Sequence, residues 1–158
     1  MLYDAARPLL SYVYELGFYR AAHEGPSVPY LPLMTETAHT RKRVDEFVAR
    51  IIQGEFFEVM PEYDSPDAIA RENSEPPRVG LEAMMANEKG ALQRMKIDKI
   101  EALEVLVDGD RAAIHNNFEM TLNDGRKTQL EEIAWQQWRD GKIGSERYFW
   151  DPTQRKPR

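Results

Sequence analysis

Asp67-Ala68-Ile69-Ala70-Arg71-Glu72, followed by Pro76-Pro77-Arg78-Val79-Gly80, is the stretch on which the fold turns. It reads as a short extended segment that ends on a carboxylate, then a proline-rich turn, then a helix start. A carboxylate held at such a junction can look into a cavity, so Glu72 becomes the first residue to weigh as a chemical group.

Downstream of Gly80, Leu81 to Leu92 is rich in alanine, methionine and glutamate and predicts a helix with Met84 and Met85 near its middle, more naturally core than cofactor contact. The remainder predicts an antiparallel meander, because Asp108-Gly109-Asp110, Asn123-Asp124-Gly125 and Asp140-Gly141 are turn signals between apolar segments. Strands are expected near Ile97 to Val107, Ala112 to Leu122, Lys127 to Arg139 and Lys142 to Asp151. Upstream, Val44, Phe47, Val48, Ile51 and Ile52 form one helical stripe within Thr37 to Gln53, with Gly54 as its stop. Glu55 to Met60 predicts a second short helix ending before Pro61, and Tyr63 begins the approach to the carboxylate. Helices first and a curled sheet afterwards is an α+β pattern.

Ahead of this domain, Leu9, Leu10, Val13, Leu16 and Tyr19 suit a short amphipathic helix, and Glu24 to Pro32 reads as an extended proline-rich linker or a ligand for a proline-binding module. Residues 1–33 are therefore taken as an N-terminal extension and linker, 34–152 as the domain and 153–158 as a tail, with Met34-Thr35 itself resembling a protein start.

Composition narrows the partners. The 158 residues suit one core, with 42% hydrophobic and 30% charged residues. A net charge of -6 opposes the counterion displacement on which nonspecific nucleic-acid binding depends. The chain has no cysteine, which removes disulfides, thiolate catalysis and sulfur-ligated zinc. No apolar run is long enough for a membrane span, and the start lacks a signal-peptide pattern, so the expectation is a cytoplasmic protein without membrane or nucleic-acid partners.

The order of these segments resembles the cone-shaped nuclear transport factor 2-like α+β fold, in which N-terminal helices pack on a curved, mainly antiparallel sheet that encloses a pocket. Ketosteroid isomerases and SnoaL-like polyketide cyclases share it. The resemblance covers about residues 37 to 151 and rests on Gln53-Gly54-Glu55, Tyr63, Asp67-Ala68, Glu72, Pro77-Arg78-Val79-Gly80, Gly125-Arg126-Lys127-Thr128, Asp140-Gly141-Lys142-Ile143 and Arg147-Tyr148-Phe149-Trp150-Asp151-Pro152. Aligning Asp67-Ala68 with the matching pair of the isomerases implies that Glu72 stands where that family carries its proton-shuttling carboxylate. The same alignment puts Phe47 and Ala134 where the isomerases carry their oxyanion donors. Neither can donate a hydrogen bond, so steroid isomerisation by the same machinery is not expected.

Strand alternation turns Leu130, Glu132, Ala134, Gln136 and Trp138 to one face and Ile133 and Trp135 to the other. The same register points Glu146, Tyr148 and Trp150 inward on the last strand and Asn116, Phe118 and Met120 inward on the second strand of the meander. With Tyr63 and Asn73 beside Glu72, the expected ligand contacts are Tyr63, Asn73, Asn116, Phe118, Glu132, Trp138, Glu146, Tyr148 and Trp150. Two alternatives stand beside that set: Glu72 as the partner of Arg71 or Arg78, and the aromatics as core or dimer packing. His115, Asn117 and Glu119 alternate on one strand face, but a single imidazole makes a poor metal site, and neither metal nor cofactor is expected. The functional expectation is a small apolar metabolite, carbonyl-containing, in a central pocket, with isomerase, cyclase or dehydratase chemistry through Glu72. The alternative is a non-catalytic binding module or a homodimeric interaction module.

Overall fold

The computed structural model describes residues 31–155. The amphipathic segment expected before residue 23 and most of the proline-rich linker lie outside them. Helix α1 spans Leu31–Ile52, so it starts ahead of both the Thr37 expected from its stripe and the domain boundary drawn at Met34. Val44 is fully buried on its inner face, with Phe47, Val48 and Ile51 packed around the same core. Its outer face carries Arg41 and Asp45 paired at 2.9 Å one turn apart. Gly54, at φ +85°, lets the chain leave the helix, and its N–H donates to the Ile51 carbonyl.

Helix α2, Phe56–Tyr63, runs through Pro61 instead of stopping before it. The lost N–H removes one bond of the last turn, while Asp64 N–H still closes on the Met60 carbonyl, and Val59 and Tyr63 are buried. Burial of those two side chains outweighs the missing bond. Arg50 ties α1 to α2 by reaching Glu55 at 2.6 Å and Glu62 at 2.5 Å.

Six strands then form one sheet: β1 Asp64–Glu72, β2 Arg78–Val79, β3 Met95–Asp108, β4 Arg111–Leu122, β5 Lys127–Arg139 and β6 Lys142–Trp150, with helix α3, Leu81–Leu92, between β2 and β3. The spatial order is β2-β1-β6-β5-β4-β3. The four-strand meander stands as expected. The extended segment before Glu72 becomes a full strand that joins the meander by parallel pairing with β6, while its other edge pairs antiparallel with β2. The β1–β6 register shifts between Asp64 and Ile69, a stretch that contains Pro66 and so lacks one ladder donor.

Two hydrophobic clusters back the sheet. The larger joins Val44 of α1 and Val59 and Tyr63 of α2 to Ala112, Ile114, Ala134, Trp138 and Ile143. The smaller sets Met84 of α3 against Ala68 and Ala70 of β1. The β5–β6 turn uses Asp140 and Gly141 at φ +54° and +74°, the left-handed pair that matches strand twist in a two-residue hairpin. After Trp150, a 3-10 turn covers Pro152–Arg155, and Gln154 hydrogen-bonds both the N–H and the carbonyl of Glu131. That part of the expected tail is tied to β5. Among the described residues, no helix is long and apolar enough to cross a membrane.

Candidate functional site

Between the three helices and the concave face of the sheet lies a cavity of about 540 Å³. That volume lies within the range of small-molecule sites. Its walls are mostly apolar: Phe47, Val48 and Ile51 come from α1, Met60 from α2, Met84 and Leu92 from α3, and Ile114, Phe118, Met120 and Leu130 from the sheet. Polar groups enter from β1, β5 and β6, and Arg78 and Glu88 also line the wall.

On the cavity wall two buried carboxyl groups interact. Asp64, 3% exposed, opens β1 directly after the last residue of α2, and Glu146, 7% exposed, lies on β6 opposite Gln136 of β5. Burial, and then the charge of Glu146, push the Asp64 carboxyl up to about 8, with Lys142 pulling the other way. Burial also raises Glu146, against hydrogen bonds from Gln136 and Tyr148 and the charge of Arg78. The surroundings of the two acids differ. Glu146 Oε2 accepts a hydrogen bond from Gln136 Nε2 at 2.8 Å, whereas Asp64 Oδ1 has no hydrogen-bond partner among the described residues. Burial and the neighbouring carboxylates, Glu146 foremost, hold the Tyr148 hydroxyl well above its ordinary range, so it stays protonated and able to donate. The pair therefore keeps at least one proton near neutral pH, as like charges confined together must.

Glu72 and Arg78 form a second polar group on the cavity wall. Arg78 Nη2 donates to Glu72 Oε1 at 3.1 Å, with each side chain about one-fifth exposed. The pairing weighed in the sequence analysis is thus the one that forms. Burial, and next the charge of Glu72, raise Glu88 on α3, while Arg78 lowers it. One guanidinium accordingly acts on Glu72, Glu88 and Glu146.

The candidate ligand contacts divide in two. Asn116, Phe118, Glu132, Glu146 and Tyr148 line the cavity, as does Glu72. Tyr63, Asn73, Trp138 and Trp150 are not part of its wall. Tyr63 closes α2 rather than approaching Glu72 along a strand, and its ring packs on Phe47 and Trp138 at centroid distances of 5.4 and 6.4 Å. Trp138, 2% exposed, is core, and its indole N–H donates to Gln136 Oε1 at 3.0 Å. Asn73 sits at φ +43° and clamps β6: its Nδ2 donates to the Trp150 carbonyl at 3.0 Å and its Oδ1 accepts the Trp150 N–H at 3.2 Å. His115 meets Glu131 at 2.7 Å, and no group of three metal-ligating side chains occurs among the described residues.

Sequence reasoning passed over Asp64 and Glu88 and placed Gln136 inward without giving it a role. For Gln136 the signal existed in its alternation with Ala134 and its distance from the hairpin turn. For Asp64 there was none, since its importance comes from pairing with a strand about 80 residues away.

Comparison with known proteins agrees with this architecture. A family model described as a SnoaL-like domain matches residues 38–145. No curated protein matches the chain in sequence. A Mesorhizobium loti protein provisionally named a SnoaL-like polyketide cyclase superposes with a TM-score of 0.63 at 20% identity, covering 68% of this chain and 96% of its own. An LEH-like epoxide hydrolase from M. tuberculosis gives 0.63 at 15% identity, over 75% of this chain and 87% of its own. A Bacillus subtilis protein provisionally named an isomerase gives 0.62 at 17% identity, over 75% and 90%. At these identities the likeness is one of fold.

Proposed function

The chain belongs to the SnoaL-like domain family, with the nuclear transport factor 2-like fold, and on that premise we propose that its cavity binds a small, largely apolar, carbonyl-containing molecule and moves a proton on it. The observation that carries this is the buried Asp64–Glu146 pair on the wall of a mostly apolar cavity. One carboxyl without a hydrogen-bond partner at Oδ1 beside one that accepts donors divides the work of an acid and a base. In this reading Glu146 takes a proton from the carbon next to the carbonyl, and Asp64 donates a hydrogen bond to the oxygen as negative charge gathers there. Glu146 then returns its proton to a different carbon, so the net change is an isomerisation. Asp64 supplies the oxyanion donor that Phe47 and Ala134, both on the cavity wall, cannot.

The base thereby shifts from Glu72 to Glu146, because Glu72 is engaged with Arg78 and acts in this scheme by holding that guanidinium near Glu88 and Glu146. The test is a panel of small α,β- and β,γ-unsaturated carbonyl compounds, with binding followed by calorimetry and proton transfer by solvent-deuterium uptake. Glu146→Gln should lower uptake by about a hundredfold or more while the compounds still bind. Glu72→Gln should reduce it less than Glu146→Gln. Equal uptake by wild type and Glu146→Gln would remove Glu146 as the base. Binding with no uptake by any variant would leave a carrier of apolar metabolites.

A second observation supports a partner. Ile133, Trp135 and Phe149 stand 43–45% exposed together on the outer face of the sheet, away from the cavity. A second copy of the chain, burying this patch against its own equivalent, is the partner we propose for it.

A further inference from the structure

Two core residues outside the proton-transfer step lead to the base. Gln136 and Trp138 lie two apart on β5, 1% and 2% exposed, and Gln136 stands directly opposite Glu146 in the β5–β6 ladder. We infer that Trp138 and Gln136 are positioning residues, which hold the amide in the one orientation that makes Glu146 the ionised member of the pair and Asp64 the proton carrier. The inference rests on the acid–base reading of the cavity and adds to it the device that decides which acid does which task.

An indole N–H can only donate, and a primary amide has one accepting end and one donating end. The Trp138 N–H meets Gln136 Oε1 at 3.0 Å, which turns the NH₂ end to Glu146 Oε2 at 2.8 Å. The flipped amide would set NH₂ against the indole N–H and its carbonyl oxygen against a carboxylate. Both contacts repel, in a place too buried for solvent to relieve them. The indole is itself held in T-shaped contact with Phe47 and Tyr63, at centroid distances of 6.1 and 6.4 Å. From α1 and α2 to the pair, the sequence of contacts is therefore ring packing, indole N–H, amide and carboxylate.

A carboxylate that accepts donors is favoured in its charged form. Glu146 has Gln136 and the Tyr148 hydroxyl, with Arg78 adding positive charge from β2. Asp64 Oδ1 accepts nothing among the described residues. The other charged groups around the pair are few. Lys142 on β6 faces Asp64 and favours its ionised form, but its Nζ hydrogen-bonds to the backbone oxygens of Pro61, Glu62 and Asp64. Glu88 from α3 interacts with Glu146, Glu132 from β5 adds negative charge at Tyr148, and Glu72 is paired with Arg78. Gln136 is a donor to the pair whose direction is fixed by a neutral, non-titrating neighbour, Trp138.

The experiment is a carboxyl-carbon NMR titration of the full chain labelled at Asp and Glu, comparing wild type, Trp138→Phe and Gln136→Met. Wild type should show Asp64 titrating at higher pH than Glu146. Gln136→Met removes the donor and should raise the Glu146 midpoint and lower that of Asp64 by about one pH unit or more, as expected for one hydrogen bond to a charged group. Trp138→Phe keeps an aromatic ring in the core, removes the indole N–H and frees the amide to turn, and should move both midpoints in the same directions by less. A wild-type Glu146 midpoint above that of Asp64 would overturn the inference. So would unchanged midpoints in a folded Gln136→Met or a folded Trp138→Phe chain. If Trp138→Phe does not fold, the wild-type order and Gln136→Met decide the matter. The titration needs no turnover. A failed deuterium-uptake assay with the expected titration would therefore remove the proposed catalysis and leave the positioning intact.

Discussion

A carboxyl group as deeply placed as Asp64 weakens the fold it belongs to whenever it is charged. Its folded-state value of about 8 lies above the ordinary 3.8, so the folded state holds the proton more tightly than the unfolded chain. The stabilisation that follows is complete below about pH 3.8 and is lost as pH rises through about 8. Glu146 is displaced in the same direction by the same cause. We predict that wild type loses stability between pH 5 and pH 9 and that Asp64→Asn loses less over the same interval. The difference should be on the order of 2–4 kcal/mol at pH 9, discounted for the coupling of the pair. Urea melts of both chains at the two pH values measure it, and parallel declines would show that Asp64 is not held protonated. The same change should lower deuterium uptake only in part, because an asparagine amide still donates to the oxygen but is a weaker donor than a protonated carboxyl.

At the scale of elements, most of the fold was legible because its signals are local. The stripe of α1, the composition of α3 and the three glycine turns of the meander each lie within about 20 residues. Alternation along β5 sorted Ile133 and Trp135 from Ala134, Gln136 and Trp138 correctly, as their burial now records. Alternation gives a face, however, and not a depth along the strand. Trp138 points inward as expected, yet it sits at the hairpin end of β5, where Phe47 and Tyr63 fill the space that a ligand was expected to occupy. Trp150 lies at the opposite end of its own strand, at the clamp made by Asn73. The parallel joining of β1 to β6 had no local signal at all, and Asp64 and the role of Asn73 were missed with it. That clamp is testable. Asn73→Ala removes both side-chain bonds to Trp150 and a residue type tolerant of φ +43°, and should cost about 1–2 kcal/mol with faster hydrogen exchange at the Trp150 amide. Gly141→Ala should cost a similar amount. Its φ is +74°, and the added Cβ would lie 3.3 Å from His39 Nε2 on α1. Stability unchanged in either variant would mean that the junction is slack.

Over the whole molecule, the two faces of the sheet carry opposite assignments. The concave face is closed by helices around the cavity. On the outer face Ile133 pairs across strands with His115 on one side and Phe149 on the other, and Trp135 lies between Ala113 and Arg147 in the next outward row. The Arg147 guanidinium rests over the Phe149 ring at 4.7 Å, so part of this surface is already covered by an apolar stem and a delocalised cation. Leaving Trp135, Ile133 and Phe149 each more than two-fifths exposed side by side is unfavourable in water, and pairing with a second copy would remove that exposure without touching the cavity. Trp135→Glu should therefore convert a dimer to a monomer, since two-fold pairing sets the new charge into the apolar patch of the partner copy. Proton transfer in each cavity should persist, because Trp135 faces away from Asp64 and Glu146. Sedimentation equilibrium of wild type and variant at tens of micromolar, with deuterium uptake on the same samples, separates the cases. A monomeric wild type would remove the second copy as the partner. A dimer that survives Trp135→Glu would place the interface elsewhere, and loss of uptake on dissociation would mean that the cavity depends on the partner for its shape.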